Sequence, residues 1–261
     1  MNFAVIITLL ASPIATTLFP AFSKLNIEKD HSSIEKMFKL SVKYISLIII
    51  PASIATAILS KNIVYTLYGY QYQIAPTYLS FYMLTFLFTA IGMYVIPALF
   101  NSQGNTGTTL KINLINLAIS IPLASILIPL YDVHGLISSI LASQLISTGY
   151  GLYQVKRMYK ISIERISSLK IIVTSLLSAL PSYVLLKSTS LTNSIFNIAL
   201  GGTLYIAFFL VFAPILGAIN KEDIENLENL LNELPLIYPI IKYILIFEKK
   251  VLELNIIPIN Y

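Results

Sequence analysis

Two histidines, twelve carboxylates and no cysteine are all that this chain of 261 residues offers for acid–base, nucleophilic or metal chemistry. The missing cysteine excludes disulfides and thiolate metal sites, and His31 and His134 are too few for an all-histidine metal centre. No Ser-His-Asp grouping or phosphate-cradling glycine loop is present, and Asn101, Gly104, Asn105 and Gly107 make a polar turn and nothing more specific. Asp132 and His134 stand close together, but between two apolar runs, where a turn is the simpler reading. A second kind of polar residue lies within apolar surroundings. Lys111, Asn113 and Asn116 follow one another along one run, and Gln144 sits in the next. These four are the candidate lining of a hydrophilic substrate cavity, although for the asparagines and the glutamine hydrogen-bonding glue between helices is the simpler reading. No catalytic residue, metal ligand or cofactor site is expected, and the chain does not read as an enzyme.

Composition identifies the elements that must carry these side chains. Hydrophobic residues make up 56% of the chain and charged ones 11%, with a mean hydropathy of +0.79. Soluble domains carry about 25% charged residues. In lipid the same composition is natural, because helices satisfy their own backbone while side chains face hydrocarbon. A membrane barrel would show alternating segments of roughly ten residues, whereas the apolar runs here are long and unbroken. The expectation is an all-α, polytopic membrane bundle. Runs of about the ~20 residues that a span needs fall at Phe3 to Phe22, Ser41 to Leu59, Ala75 to Phe100, Ile112 to Pro129, Val133 to Tyr153, Ile171 to Leu186 and Ile195 to Leu216. That makes about seven spans in a bundle over 1–220, with 221–261 as an amphipathic tail. Residues 131–135 are expected to form a tight external turn between the fourth and fifth spans. With no tryptophan, tyrosines such as Tyr68, Tyr70 and Tyr72 supply the interfacial belt.

Charge then orients the chain. If connections alternate sides, 15 of the 17 basic residues share one side, from Lys24, Lys29, Lys36, Lys39 and Lys43 in the first connection through Lys111, the 156–170 cluster and the tail. Lys61 and Lys187 alone lie opposite. The positive-inside rule makes the rich side cytoplasmic, placing the N-terminus outside and the C-terminus inside, in a multi-pass cell-membrane protein. The pI near 9.2 therefore reflects membrane topology and not nucleic-acid binding. Eleven of the 12 acids also fall inside, Asp132 being the exception, which disfavours a membrane glycosyltransferase needing external carboxylates. The spans carry no ionisable residue near their centres, so no cation-coupling carboxylate is expected in them. An odd number of helices starting outside suits the second part of a longer protein.

Prolines recur in or beside the spans, among them Pro20, Pro51, Pro97, Pro122, Pro129, Pro181 and Pro214, and suggest kinks. The first connection, Glu28 to Lys43, spaces Ile34, Met37, Phe38 and Leu40 for one face, the pattern of a helix lying on the inner surface before the chain enters the membrane. In the tail, Ile224, Leu227, Leu230, Leu231 and Leu234 form an apolar stripe with Glu222, Asp223, Glu225, Glu228 and Glu233 facing away, and Leu236 to Phe247 is expected to be interfacial.

Several ordered features carry a family resemblance. The first helix ends Leu18-Phe19-Pro20-Ala21-Phe22-Ser23-Lys24, and Ser41-Val42-Lys43-Tyr44 leads into a helix containing Pro51. Tyr65-Thr66-Leu67-Tyr68-Gly69-Tyr70-Gln71-Tyr72 precedes the span opened by Ala75. Asn101 to Gly107 precedes Lys111 and a helix ending Leu127-Ile128-Pro129-Leu130-Tyr131, with Gly135 opening the next. In this order they resemble the polysaccharide and lipid-linked oligosaccharide flippases of the multidrug/oligosaccharidyl-lipid/polysaccharide exporter superfamily, over roughly Leu18 to Ala142. The resemblance implies two related bundles around a central cavity, of which this chain looks like the C-terminal one. It also implies passage of a glycan on a polyprenyl or dolichyl phosphate to the outer leaflet by alternating access. The partners implied are membrane lipid, the lipid-linked glycan and a separately encoded N-terminal half. A drug or cation exporter of the same superfamily, or a nonfunctional fragment, are the alternatives.

Overall fold

From His31 the chain runs as one uninterrupted helix to Ile58, because nothing between His31 and Ile50 breaks it and Pro51 is accommodated without ending it. In the computed structural model, which describes residues 16–188, 194–232 and 246–252, this helix is α2, preceded by the helical residues 16–23 (α1). Ile34, Phe38, Val42, Ile45 and Ile49 recur every three or four residues and are buried, so α2 presents a continuous face to its neighbours. The surface helix expected over Glu28 to Lys43 is therefore not separate. Its apolar face and that of the span have one phase, and the chain has no reason to turn between them.

Beyond Leu59 the axis continues as α3 (Ser60–Tyr68), which ends at Gly69 with φ of 82°. The next span is broken. α4 (Ala75–Met83) passes into a 3₁₀ helix over Leu84–Ile91, stops at Gly92 with φ of 89°, and restarts as α5 (Val95–Ser102). The two limbs meet at 44°.

α6 covers Thr106–Tyr159, 54 residues. As a straight rod it would measure about 81 Å, far beyond a hydrocarbon core of about 30 Å. It is instead a hairpin, reversed at Asp132 (φ 49°, ψ −130°). Asn116 reaches Ser147 across it at 3.1 Å, Asn105 reaches Met158, and Gly151 faces Ile112. Each pair is symmetric about the turn, as antiparallel arms 106–131 and 133–159 require. At the turn Gly135 lies so close to Leu127 that a Cβ would sit 2.1 Å from the Leu127 carbonyl oxygen; only glycine fits.

α7 (Arg165–Ser188) and α8 (Ser194–Ile215) complete the bundle. α7 buries Ser168, Ile171, Ser175, Ser178 and Ser182 against α8, α2 and the 3₁₀ segment. Lipid gives no hydrophobic drive for helices to associate, so small residues and hydrogen bonds hold the contact. Tyr205 of α8 donates to the Ser175 carbonyl at 3.2 Å. Outward-facing Leu169, Leu176, Leu180 and Val184 are exposed, as a lipid-facing surface should be. α9 (Lys221–Asn232) and helical residues 246–252 (α10) follow. Among the described residues four helices are long and apolar enough to cross a membrane, and the bent α4–α5 pair makes a fifth. No strand occurs among the described residues. Residues 3–15 of the first expected span and most of the stretch Leu236 to Phe247 lie outside them.

Candidate functional site

The four residues expected to line a cavity do not converge. Lys111 and Asn113 are exposed on the first arm of the hairpin. Asn116 spends its amide on Ser147, holding the two arms together. Gln144 donates from Nε2 to the Met93 sulfur, one residue past the Gly92 break. The two half-buried amides thus act between helices, and Gln144 in particular braces the broken span.

That break is a structural feature that proline counting missed. It is held from two sides, since Ser168 of α7 donates to the Ala90 carbonyl at 2.7 Å. Within the 3₁₀ segment Thr85 and Thr89 return their hydroxyls to the Tyr82 and Phe86 carbonyls, which satisfies groups that α-helical geometry would have paired. Interrupted helices at such places are a common device of transporters. The sequence signal is the lone Gly92 inside an apolar run.

At the Lys43 end the charges are consumed by structure. Lys43 and Asp223 are 7% and 2% exposed and make an ion pair at 2.5 Å. Asp223 closes a capping box with Asn220: its Oδ2 accepts from the Asn220 N–H at 2.8 Å, while its own N–H donates to Asn220 Oδ1 at 2.8 Å. The sequence pattern had Asp223 facing away from the packed side; its capping role turns it inward instead. Asn226 donates to the Tyr44 hydroxyl at 3.3 Å, and Lys36 meets Glu222 at 3.4 Å on the surface. Glu248 of α10 is buried beside Asp223, and burial, with the Asp223 charge adding, pushes its carboxyl up to about 7. At the same end Gln103 caps the first helix, donating to the carbonyls of Phe22 (3.0 Å) and Leu25 (3.1 Å) and accepting from Ile27 N–H (3.2 Å). His31 donates from Nε2 to the Tyr159 carbonyl at 2.6 Å.

Two basic pockets mark the ends of α7. One, of about 270 Å³, lies where the hairpin leads into α7 and includes Lys156 and Arg165. The other, of about 660 Å³, lies among α2, α3, α7 and α8 and includes Lys61 and Lys187. Arg165 and Lys187 are 22 residues apart on one helix, about 33 Å along its axis, or one bilayer core. No group of His, Asp and Glu that could hold a metal occurs among the described residues.

The described residues thus form a membrane bundle with a braced, broken span and basic clefts at both ends of a spanning helix. The family model of the lipid II flippase MurJ matches residues 3–215. The chain belongs to that family. No curated protein and no solved structure matches it. Lipid II flippase MurJ proteins are transporters of a lipid-linked precursor and not catalysts, and the match runs through every helix from α1 to α8, hairpin and broken span included.

Proposed function

We propose that this chain moves a polyprenyl-diphosphate-linked glycan precursor, of the lipid II kind, from the inner to the outer leaflet by alternating access. The observation that carries this is the family match over residues 3–215. The broken span supports it, because Gly92 supplies a backbone pivot beside packed helices that can move as units. The asymmetry of basic residues supports an orientation with Lys43, Lys156 and Arg165 at the cytoplasmic face and Lys61 and Lys187 outside. In this scheme a second bundle faces the exposed Lys111 and Asn113 across the cavity, supplied by further helices as the N-terminal half.

The test is reconstitution of the chain, with and without that half, into vesicles holding a fluorescent undecaprenyl-diphosphate sugar. Exposure of the inner-leaflet pool to an added quencher should accelerate well above protein-free vesicles. An unchanged rate in both preparations sinks the proposal.

A further inference from the structure

The larger pocket has a composition that structure alone does not require. Lys61 and Lys187 are the two basic residues that charge asymmetry sets apart from the other fifteen, and although 126 positions separate them they line one cavity. Neither is ion-paired among the described residues, and no carboxylate appears in the lining. Lys61 is oriented without a counter-ion: its Nζ lies 5.9 Å from the Tyr65 ring centroid, and Tyr65 rests against Tyr70 at 4.8 Å. A cation over an aromatic face keeps its charge and its donors available. Asn62 and Tyr183 add neutral donors.

Ile58 and Leu186 add apolar wall, with Ser194 and Asn197 of α8 completing the lining. Gly201 brings α8 close here, since a Cβ on it would meet Leu59 at 2.7 Å and Leu186 at 2.8 Å. The cleft thus sets two cations and an apolar patch side by side. Its volume of about 660 Å³ falls within the roughly 300–1,000 Å³ of small-molecule sites.

Resting on the flippase reading, we propose that this pocket receives the diphosphate of the lipid-linked cargo at the outer face, with the Lys61 and Lys187 ammonium groups as its counter-charges. Two positive charges lining one cavity match a diphosphate, and the apolar patch of Ile58 and Leu186 matches the start of its attached lipid. A lysine pair with no ion-pair partner among the described residues has an open counter-ion position, and charge-assisted hydrogen bonds of this kind are the strong ones.

The experiment places the full chain in nanodiscs of zwitterionic lipid and measures binding of undecaprenyl diphosphate, with undecaprenol and inorganic pyrophosphate as separate probes. Undecaprenyl diphosphate should bind about tenfold or more tightly than undecaprenol. The double variant Lys61→Ala, Lys187→Ala should lose that preference, while Lys61→Arg, Lys187→Arg retains it, with thermal melting unchanged in both. Equal binding by wild type and the double alanine variant overturns the site, as does loss in the arginine variant. Pyrophosphate displacing the lipid at equal concentration overturns the lipid assignment in favour of a free anion. Vesicle transport separates the two proposals: lysine-dependent binding without transport sinks the flippase reading alone, and transport indifferent to both lysines sinks this site alone.

Discussion

The two ends of the bundle use their lysines in opposite ways. At one end Lys43 is buried, paired with Asp223 and built into a helix cap. At the other, Lys61, set over the Tyr65 ring, and Lys187 line an open cleft with no carboxylate in its lining. A buried ion pair adds little net stability once desolvation is counted, but it fixes register, and losing one partner is costly. An unpaired lysine at a cleft mouth contributes little to stability and keeps its charge for a ligand. Charge is structural at the first end and available at the second.

The contrast is broken most severely by Asp223→Ala. It leaves Lys43 buried without a partner and removes a cap, which should weaken docking of α9 by about 3–5 kcal/mol; limited proteolysis near 221–232 should speed up sharply. The pair Lys43→Met, Asp223→Leu should recover much of that loss. Next, Gly201→Leu pushes a side chain into Leu59 and Leu186 and should cost about 1–3 kcal/mol in thermal melting while spoiling the Lys61 cleft. Third is Glu248. Its buried carboxyl holds a proton that the undocked tail would release, so docking is strongest below pH 4.5 and weakens as pH rises to about 7, at no more than about 1.4 kcal/mol per pH unit. Hydrogen exchange of 246–252 between pH 5 and 8 should show that slope, and Glu248→Gln should flatten it. Smallest is Lys61→Ala, expected within about 0.5 kcal/mol of wild type; a loss as large as that of Asp223→Ala would erase the distinction between the ends.

The parts legible in sequence were those written in local hydrophobicity. Long apolar runs identified an all-α membrane bundle, and the sequence from Tyr131 to Gly135 marked the reversal that divides a 54-residue helical stretch. Long-range pairing was not legible. Lys43 and Asp223 lie 180 positions apart, and Gln103 caps a helix more than 75 residues away. In apolar segments a polar residue carries no local mark of whether it will face a partner helix or a cavity, which is why both readings stood open for Asn116 and Gln144 until their contacts with Ser147 and Met93 were seen. The break at Gly92 was hidden because proline draws attention as a kink former, yet Pro51 lies within the continuous α2 while a glycine ends the 3₁₀ run.

That 3₁₀ run also has a mechanical consequence. A 3₁₀ helix rises about 2.0 Å per residue and an α-helix about 1.5 Å. Recoiling the eight residues of Leu84–Ile91 into α-geometry would shorten the span by about 4 Å and, at about 20° less turn per residue, would swing everything beyond it by well over a quarter turn. A single segment can therefore couple a small axial shortening to a large rotation, in the manner of a screw thread, and the bonds from Ser168 and Gln144 are the stops that hold it wound.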